Sequence, residues 1–292
     1  MVFVDYVYPN LSPAHLKSVT PRGGLIERWQ LAKKTNCAYI EVPCHLVYNK
    51  TEEELTNLKI GDFLGEKEIL QLYTRYEETP QSLKYVFHTE PSIGKSNRYG
   101  RRIYSEIKWY DEVWSNRYLE MILSIIDYLN HPPSIIEIHP GDTQNNYDNL
   151  ARFEKSIIET FKSYFDYKPV ILLENRTEQF ISTGKQIKTY WNHIKDEHND
   201  LVKDTGIVLD IQQLHTKTGD RFLQELEQIP EDCLKGFHIH TRHRWPKLND
   251  LIPWRYVFRR IKQLDQNIII NPEIHQKKRV SQAIEFCNSL LN

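Results

Sequence analysis

The feature that most constrains this fold is an apolar strand pattern that ends in a polar side chain of a metal-binding type. The stretch Lys168–Glu174 (KPVILLE) shows it most clearly, because four consecutive apolar residues precede one carboxylate. A run that is apolar on both faces predicts a strand in a parallel sheet that helices cover on both sides. Since burial of an unpaired charge is costly, Glu174 must reach a polar opening or bind a cation.

The same pattern recurs along the chain, and apolar runs end at or near His88, His139, Asp210, His240 and Glu273. We predict strands at residues 2–8, 38–42, 83–88, 134–139, 169–174, 206–211, 235–240 and 267–271. Helical segments are predicted at residues 25–33, 51–79, 106–130, 147–164, 184–197, 221–228, 253–264 and 277–291. Because parallel strands need crossover helices, eight such units predict an α/β fold, a single (β/α)8 TIM barrel over residues 1–292.

Composition narrows the class of protein only slightly. The 292 residues carry 38 basic and 39 acidic side chains, a balance that neither indicates nor excludes a local nucleic-acid surface. The four cysteines form no CxxC pair, so we expect reduced thiols. The chain opens with no signal-like segment and has no apolar run of membrane-spanning length, which predicts a cytoplasmic protein without a membrane partner.

Strand geometry predicts where the polar residues meet. If Glu174 faces the barrel axis, Leu172 does too, and the same alternation groups His88 with Val86. The active site of a TIM barrel lies at the C-terminal face of its strands, so these side chains should converge. Imidazoles and carboxylates without cysteine favour an open catalytic site for Zn²⁺ or Mn²⁺. The candidate metal ligands are His88, His139, Glu174, Asp210, His238, His240 and Glu273.

Each candidate also has a plainer interpretation. A single histidine at a strand end is more often hydrogen-bonded than a ligand, and we apply this to His215, His243 and His275. A carboxylate there can be the partner of a nearby Arg or Lys. We expect Glu41 and Glu137 to be structural rather than catalytic. A chance convergence of the whole set is much rarer than that of any one member, so the prediction rests on the cluster.

On these residues the chain resembles the xylose-isomerase-like TIM barrels, which include endonuclease IV, the UV-damage endonucleases and sugar isomerases and epimerases. The resemblance spans nearly the whole chain and is confined to strand ends: Tyr39-Ile40-Glu41, His88, His139-Pro140-Gly141, Leu173-Glu174-Asn175, Leu209-Asp210, His238-Ile239-His240 and Glu273. It implies that Glu174, Asp210, a histidine of strand seven and Glu273 are shared metal ligands. His88 and His139 are similar to the extra ligands of the repair nucleases.

The chain also departs from the nuclease pattern. The nucleases place a histidine three residues after the strand-six aspartate, where this chain has Gln213, with His215 two residues further on. The Asp-x-His pair that follows in endonuclease IV has no clear counterpart after His240. Of the one to three ions that the family implies, one or two are therefore favoured here.

The leading hypothesis is a metal-dependent hydrolase that cleaves phosphodiester bonds in damaged DNA, with Glu174, Glu273 and His88 as catalytic residues. Basic, aromatic and other polar residues near the predicted mouth would contact this substrate: Arg98, Tyr99, Arg101, Arg102, Gln213, His215, Arg242, Arg244 and Trp245. The alternative is a sugar isomerase or epimerase, in which one Mn²⁺ on Glu174, Asp210, His240 and Glu273 binds a ketose. A third hypothesis is a barrel that has lost activity and only binds.

Overall fold

The computed structural model describes residues 2–10, 25–44, 63, 69, 82–89, 93–96, 102–105, 107–274 and 276–292. The strands are β1 Phe3–Tyr8, β2 Tyr39–Cys44, β3 Tyr85–Thr89, β4 Ile93–Ser96, β5 Arg102–Ser105, β6 Ile135–Ile138, β7 Val170–Glu174, β8 Thr205–Asp210, β9 Leu234–His238 and β10 Asn267–Asn271. Eight of them pair in parallel and close into a barrel in the order β1-β10-β9-β8-β7-β6-β3-β2. This confirms the predicted (β/α)8 barrel.

Helices alternate with the barrel strands. They are α1 Leu25–Lys34, α2 Glu112–Leu129, α3 Tyr147–Phe165, α4 Gly184–Glu197, α5 Ile211–Thr218, α6 Phe222–Gln228, α7 Trp254–Gln263 and α8 Val280–Leu291. Short 3-10 turns cover residues 199–201, 219–221, 231–233 and 277–279. Among the described helices, none combines the length and the apolar character that crossing a membrane requires.

Two separate apolar layers hold the barrel together. The smaller layer fills the inside and consists of one residue from each of six strands: Val7, Val86, Ile135, Leu172, Val208 and Ile269. The larger layer lies between the outer face of the sheet and the helices, where residues such as Phe87, Leu173 and Ile270 are fully buried. Inner and outer residues alternate along each strand, as period-two geometry requires. The predicted inward direction of Val86 and Leu172 is therefore correct.

Three boundaries differ from the sequence prediction for local reasons. Strand seven was predicted to reach His240, but β9 ends at His238. The predicted helix over residues 106–130 begins only at Glu112, because the side chain of Asp111 caps it by accepting the N–H of Trp114 at 3.0 Å. The sequence analysis missed α5, which starts directly after β8.

The segment after β3 contains a second structural element beside the barrel. The sequence predicts no strand between residues 88 and 134, whereas β4 and β5 pair there as an antiparallel ribbon, with Ile93 opposite Ser105 and Ser96 opposite Arg102. The predicted helical segment at residues 51–79 lies outside the described residues except for positions 63 and 69. Among the described strands, the two of the ribbon pair only with each other, so the ribbon forms a sheet separate from that of the barrel.

Candidate metal centre

The inner face of the barrel carries a polar layer just beyond its apolar one. His88 stands two residues after Val86, and Glu174 stands two residues after Leu172, so both point to the axis. The structure brings all seven predicted ligands to this layer: His88, His139, Glu174, Asp210, His238, His240 and Glu273. Their role as metal ligands stays a prediction.

Glu174 is the centre of a first group of side chains. Its Oε2 atom lies 3.0 Å from Nε2 of His88, 3.2 Å from Nε2 of His139 and 3.5 Å from Nδ1 of His238. The rings of His88 and His139 stack with their centroids 5.3 Å apart. Because Glu174 is only 1% exposed, three imidazoles surround one carboxylate away from solvent.

Glu273 is the centre of a second group. Its Oε2 atom lies 2.8 Å from Nε2 of His240 and 3.5 Å from Nδ1 of His238, and its Oε1 atom lies 3.6 Å from Nδ1 of His243. Asp210 joins this group through Oδ2, which lies 3.3 Å from Nε2 of His240. His238 contacts the central glutamate of each group and therefore links the two.

In the first group, carboxylates and imidazoles shift each other's pKa values against the effect of burial. Burial by itself raises the pKa of the Glu174 carboxyl, but His139 and His238 lower it well below its usual value. Burial lowers the pKa of His88, but Glu174 and Glu41 raise it well above its usual value. His139 differs, because burial lowers its pKa and favours the neutral ring, which is the form that binds a metal.

The backbone sets the orientation of His240. Its Nδ1 accepts the N–H of His243 at 3.0 Å, which turns Nε2 towards Asp210 and Glu273. Burial lowers the pKa of His240, and the two carboxylates raise it to about 10, which favours a doubly protonated ring. A nitrogen that accepts a hydrogen bond cannot carry a proton, so in this geometry only Nε2 of His240 can be protonated. Nε2 then faces the carboxylates with one proton or with a bound cation.

Several buried polar atoms of this cluster make no hydrogen bond to any described residue. They are both carboxylate oxygens of Glu137, both ring nitrogens of His139 and of His238, and Oε2 of Glu273. A buried polar atom without a partner costs about 1–3 kcal/mol, so the set calls for a further occupant. Imidazole nitrogens together with carboxylate oxygens match Zn²⁺ or Mn²⁺. The residues present therefore fit a divalent ion.

Two carboxylates that sequence analysis treated as structural lie inside the cluster. Oε1 of Glu41 lies 2.9 Å from Nδ1 of His88, and its Oε2 accepts the amide N–H of Asn271 at 2.9 Å. Oε2 of Glu137 lies 3.3 Å from Nε2 of His238. A carboxylate on the far nitrogen of a metal-binding histidine fixes its tautomer, a role that suits Glu41. Glu137 instead joins the candidate ligands with Glu174 and His238.

The backbone is strained beside the second group. Arg242, His243 and Glu273 have φ angles of 51°, 55° and 24°, in the left-handed region that non-glycine residues rarely adopt. Each such residue costs on the order of 1–3 kcal/mol and persists only because its surroundings hold it in place. Here the turn at His243 lets its ring stack on that of His240, with centroids 4.7 Å apart. No glycine in the sequence marks this turn.

Asp210 performs two tasks at the end of β8. Its Oδ1 accepts the backbone N–H of Gln213 at 2.8 Å and so caps α5, while its Oδ2 faces His240. Asn175, at the end of β7, accepts the backbone N–H of Asp210 at 2.8 Å and donates to its carbonyl oxygen at 3.1 Å. The side-chain carbonyl of Gln213 accepts hydrogen bonds from Thr177. The predicted substrate contact of Gln213 stays a prediction.

A cationic surface lies at the rim beyond β9. We call Arg244, Trp245, Lys247 and Arg279 the rim surface, and they line a cleft of about 320 Å³. Nζ of Lys247 and Cζ of Arg279 each lie 5.6 Å from the centroid of the Trp245 ring. Such cation–π contacts are attractive, so the ring holds two positive charges next to that of Arg244.

The remaining predicted substrate contacts are more dispersed. His215 lies on α5, packs edge-on against Phe222 and shares a second cleft of about 640 Å³ with Arg242 and Arg244. Only the backbone of Arg102, the first residue of β5, is described. Four other residues from the sequence analysis lie outside the described part of the chain: Arg98, Tyr99, Arg101 and His275.

Several known protein structures are similar in fold to this chain. No protein-family model and no curated protein sequence matches the chain. It is similar to an AP endonuclease, family 2, from Brucella melitensis, with 11% identity, 99% of each chain covered and a TM-score of 0.54. It is also similar to a D-allulose 3-epimerase from Methylomonas sp. in complex with D-allulose, with 14% identity, 98% of this chain and 96% of that chain covered, and a TM-score of 0.55.

A third similar structure is a xylose isomerase-like TIM barrel protein from Mycobacterium smegmatis in complex with magnesium. The identity is 11%, the cover is 99% of this chain and 96% of that chain, and the TM-score is 0.55. At these identities the likeness establishes the fold alone. It confirms, at that level, the predicted resemblance to the xylose-isomerase-like barrels.

Proposed function

We propose that this protein is a divalent-metal-dependent enzyme that hydrolyses phosphodiester bonds in damaged DNA. The observation that carries the proposal is the pair of ligand groups centred on Glu174 and Glu273 and linked by His238. A site for one ion needs about four ligands, and this set is larger. Two-ion sites are typical of phosphodiester hydrolysis, since both the attacking and the leaving oxygen need stabilisation.

Each group would hold an ion with its own residues. Glu174 would act with His88 and His139 in the first. Glu273 would act in the second with His240, which contacts both Glu273 and Asp210. A bound divalent ion supplies Lewis-acid chemistry, because it polarises a phosphoryl oxygen and activates water near neutral pH.

The two glutamates have different access to water, which suggests different roles. The side chain of Glu273 is 13% exposed, whereas that of Glu174 is 1% exposed. Oε1 of Glu273 lies 3.6 Å from Nδ1 of His243, whose side chain is 39% exposed. Glu273 can therefore orient an incoming water and accept its proton, as a general base does. Glu174 keeps its place deeper in the barrel, where Glu41 holds His88 against it.

The rim surface supports a polyanionic substrate. It carries Arg244, Lys247 and Arg279 around one cleft, in which Asp250 supplies the one negative charge among the described lining residues. Contacts of Lys and Arg with phosphates supply most of the sequence-independent affinity for DNA. The exposed Arg242 lies on the other side of the same turn, in the cleft that Arg244 shares. DNA with an abasic site or a UV lesion would thus meet positive charge at the rim of the barrel.

A ketose epimerase or isomerase is the second candidate, and one observation favours it. Glu174 and Glu273 both lie 3.5 Å from Nδ1 of His238, so the two carboxylates approach one point from different strands. A single ion there, with one glutamate to remove a proton and the other to return it, is what epimerisation needs. The similar D-allulose 3-epimerase has a comparable TM-score to the AP endonuclease.

An activity comparison separates the two functions. Metal-free protein would receive Mn²⁺ or Zn²⁺ and be assayed on a labelled duplex with one abasic site or UV lesion, and in parallel on a panel of ketoses. We expect nicking at the lesion that a chelator abolishes and added metal restores. Conversion of a ketose without nicking would replace this proposal by the second candidate.

Binding to DNA provides an independent measurement. Arg244→Ala should weaken binding of the lesion duplex and reduce the slope of log affinity against log salt by about one, because one phosphate contact is lost. Lys188→Ala removes an equal charge from the exposed face of α4, far from the rim surface, and serves as the matched control. Equal slopes for the two variants would contradict a role of the rim surface in DNA binding.

A further inference from the structure

A second cluster of metal-binding side chains lies on the helices of the outer layer and contains none of the candidate ligands of the barrel. It consists of Asp148 in the first turn of α3, His193 on α4 and His198 at the C-terminal end of α4. Nε2 of His193 lies 2.9 Å from Oδ1 of Asp148, and Nε2 of His198 lies 3.7 Å from the same oxygen. The two imidazole rings meet edge to face, with centroids 5.3 Å apart.

The two histidines direct their nitrogens at one point without forming hydrogen bonds there. Both Nε2 atoms are shielded from solvent and have no hydrogen-bond partner among the described residues. A buried polar atom without a partner is unfavourable, and two of them beside one carboxylate oxygen are more so. A simple histidine–aspartate pair would require an aligned N–H for each ring. The arrangement is therefore incomplete as a hydrogen-bonded cluster.

A cation at this point would satisfy all three side chains at once. Two ligands bound about 2.0–2.1 Å from a tetrahedral ion lie about 3.3 Å from each other, between the two distances observed here. The three candidate ligand atoms all lie within 4.8 Å of one another. Asp148 is 71% exposed and the two histidines are 21% and 28% exposed, so water can supply a fourth ligand.

We propose that Asp148, His193 and His198 form a second metal site, which takes a transition-metal cation of the Zn²⁺ type. Two imidazoles and one carboxylate are the ligand chemistry of zinc rather than of magnesium or calcium, which favour oxygen ligands. The ion ties the first turn of α3 to the last turn of α4. Its role is to hold these two helices of the outer layer together. The proposal is independent of the reaction at the barrel mouth.

Metal counting tests this site directly. Metal-free protein would be dialysed against Zn²⁺ and its bound zinc measured by elemental analysis. We expect His193→Ala/His198→Ala and Asp148→Asn each to bind one ion fewer per chain than the wild type. Asp196→Asn removes an exposed carboxylate from the same helix without touching the cluster and should bind as many ions as the wild type. Asp148→Asn keeps the side-chain shape and gives the answer if the double variant fails to fold.

A second measurement separates this site from the barrel mouth. In a Glu174→Gln/Glu273→Gln background, added Zn²⁺ should still raise the melting temperature, and His193→Ala/His198→Ala should remove that response. Nicking of lesion DNA by the double histidine variant should equal that of the wild type. An unchanged zinc count in both cluster variants, or a zinc response that only the mouth variants remove, would overturn the proposal.

Discussion

Two glutamates of this protein are equally shielded from water, but their carboxyl pKa values are shifted in opposite directions. Glu174 at the barrel mouth is 1% exposed, and Glu154 between α3 and α4 is fully buried. Burial raises the pKa of both carboxyls. At Glu174 the imidazoles of His139 and His238 reverse this effect and lower the pKa well below its usual value. At Glu154 the hydroxyl of Tyr190, which donates a hydrogen bond at 2.5 Å, does not, and the pKa rises to about 8.

The difference shows that burial alone does not predict the charge of a carboxyl group. A phenol donates a hydrogen bond but brings no positive charge, whereas an imidazole can bring both. The mouth therefore keeps its carboxylates ionised in a protein interior, which is the state that binds a cation. The outer layer keeps Glu154 as a neutral acid at neutral pH, which suits packing between helices.

The largest expected effect comes from removing the charge at the mouth. Glu174→Gln should lower activity by more than about 100-fold, because loss of residues that merely support a metal ligand typically costs 10–100-fold. The fold should remain, since the neighbouring imidazoles can release their protons. Circular dichroism and the activity assay would be compared with those of Glu154→Gln, the matched change at the other buried glutamate. Loss of folding in Glu174→Gln alone would instead make Glu174 a structural ion-pair partner.

The next effect concerns stability at Glu154. Its pKa in the folded protein, about 8, exceeds its ordinary value of 4.5, so the native state keeps a proton that the unfolded chain releases. The free energy of unfolding should therefore fall as pH rises from about 4.5 to about 8. Glu154→Gln removes this loss, which should amount to a few kcal/mol. Denaturant unfolding at pH 5 and pH 8 would show it as a difference between the two proteins. Parallel pH profiles would contradict a protonated Glu154.

A smaller effect is expected at Glu41, a carboxylate that acts through one imidazole. Burial raises the pKa of Glu41, but the hydrogen bond and the charge of His88 lower it below its usual value. Glu41→Gln keeps the size of the side chain and removes the charge that orients His88. Metal affinity or activity should fall by about 10–100-fold without loss of the fold. Titration with Mn²⁺ would measure this, and an unchanged affinity would leave Glu41 with a packing role only.

Much of the site could be predicted because strand geometry is so regular. The alternation that sends Val86 and Leu172 inward also sends His88 and Glu174 inward, two residues later. Glu137 follows the same rule two residues before His139, although the sequence prediction makes it structural rather than catalytic. Its inward direction was available from the sequence, and its proximity to His238 was not.

Other parts depend on contacts that no local pattern contains. The turn that places His243 on His240 needs left-handed backbone at residues where the sequence has no glycine. The two cations on Trp245 come from different segments, since Arg279 lies more than thirty residues beyond it. The helix α5 had a local signal, with Ile211, Leu214 and Thr218 buried on one face. It was missed because its first residue directly follows the strand.

That direct junction limits how this scaffold can vary. Asp210 is the last residue of β8, caps α5 and contacts His240. With one residue inserted after it, Asp210 could no longer cap α5 and contact His240 at the same time. The connection from β9 to α7 is long by comparison, running from residue 239 to residue 253 and carrying the arginines and Trp245. We expect changes of length to be tolerated better at that corner of the barrel than at the β8 corner. A designer who wished to alter substrate preference would graft new sequence there and leave the β8 corner untouched.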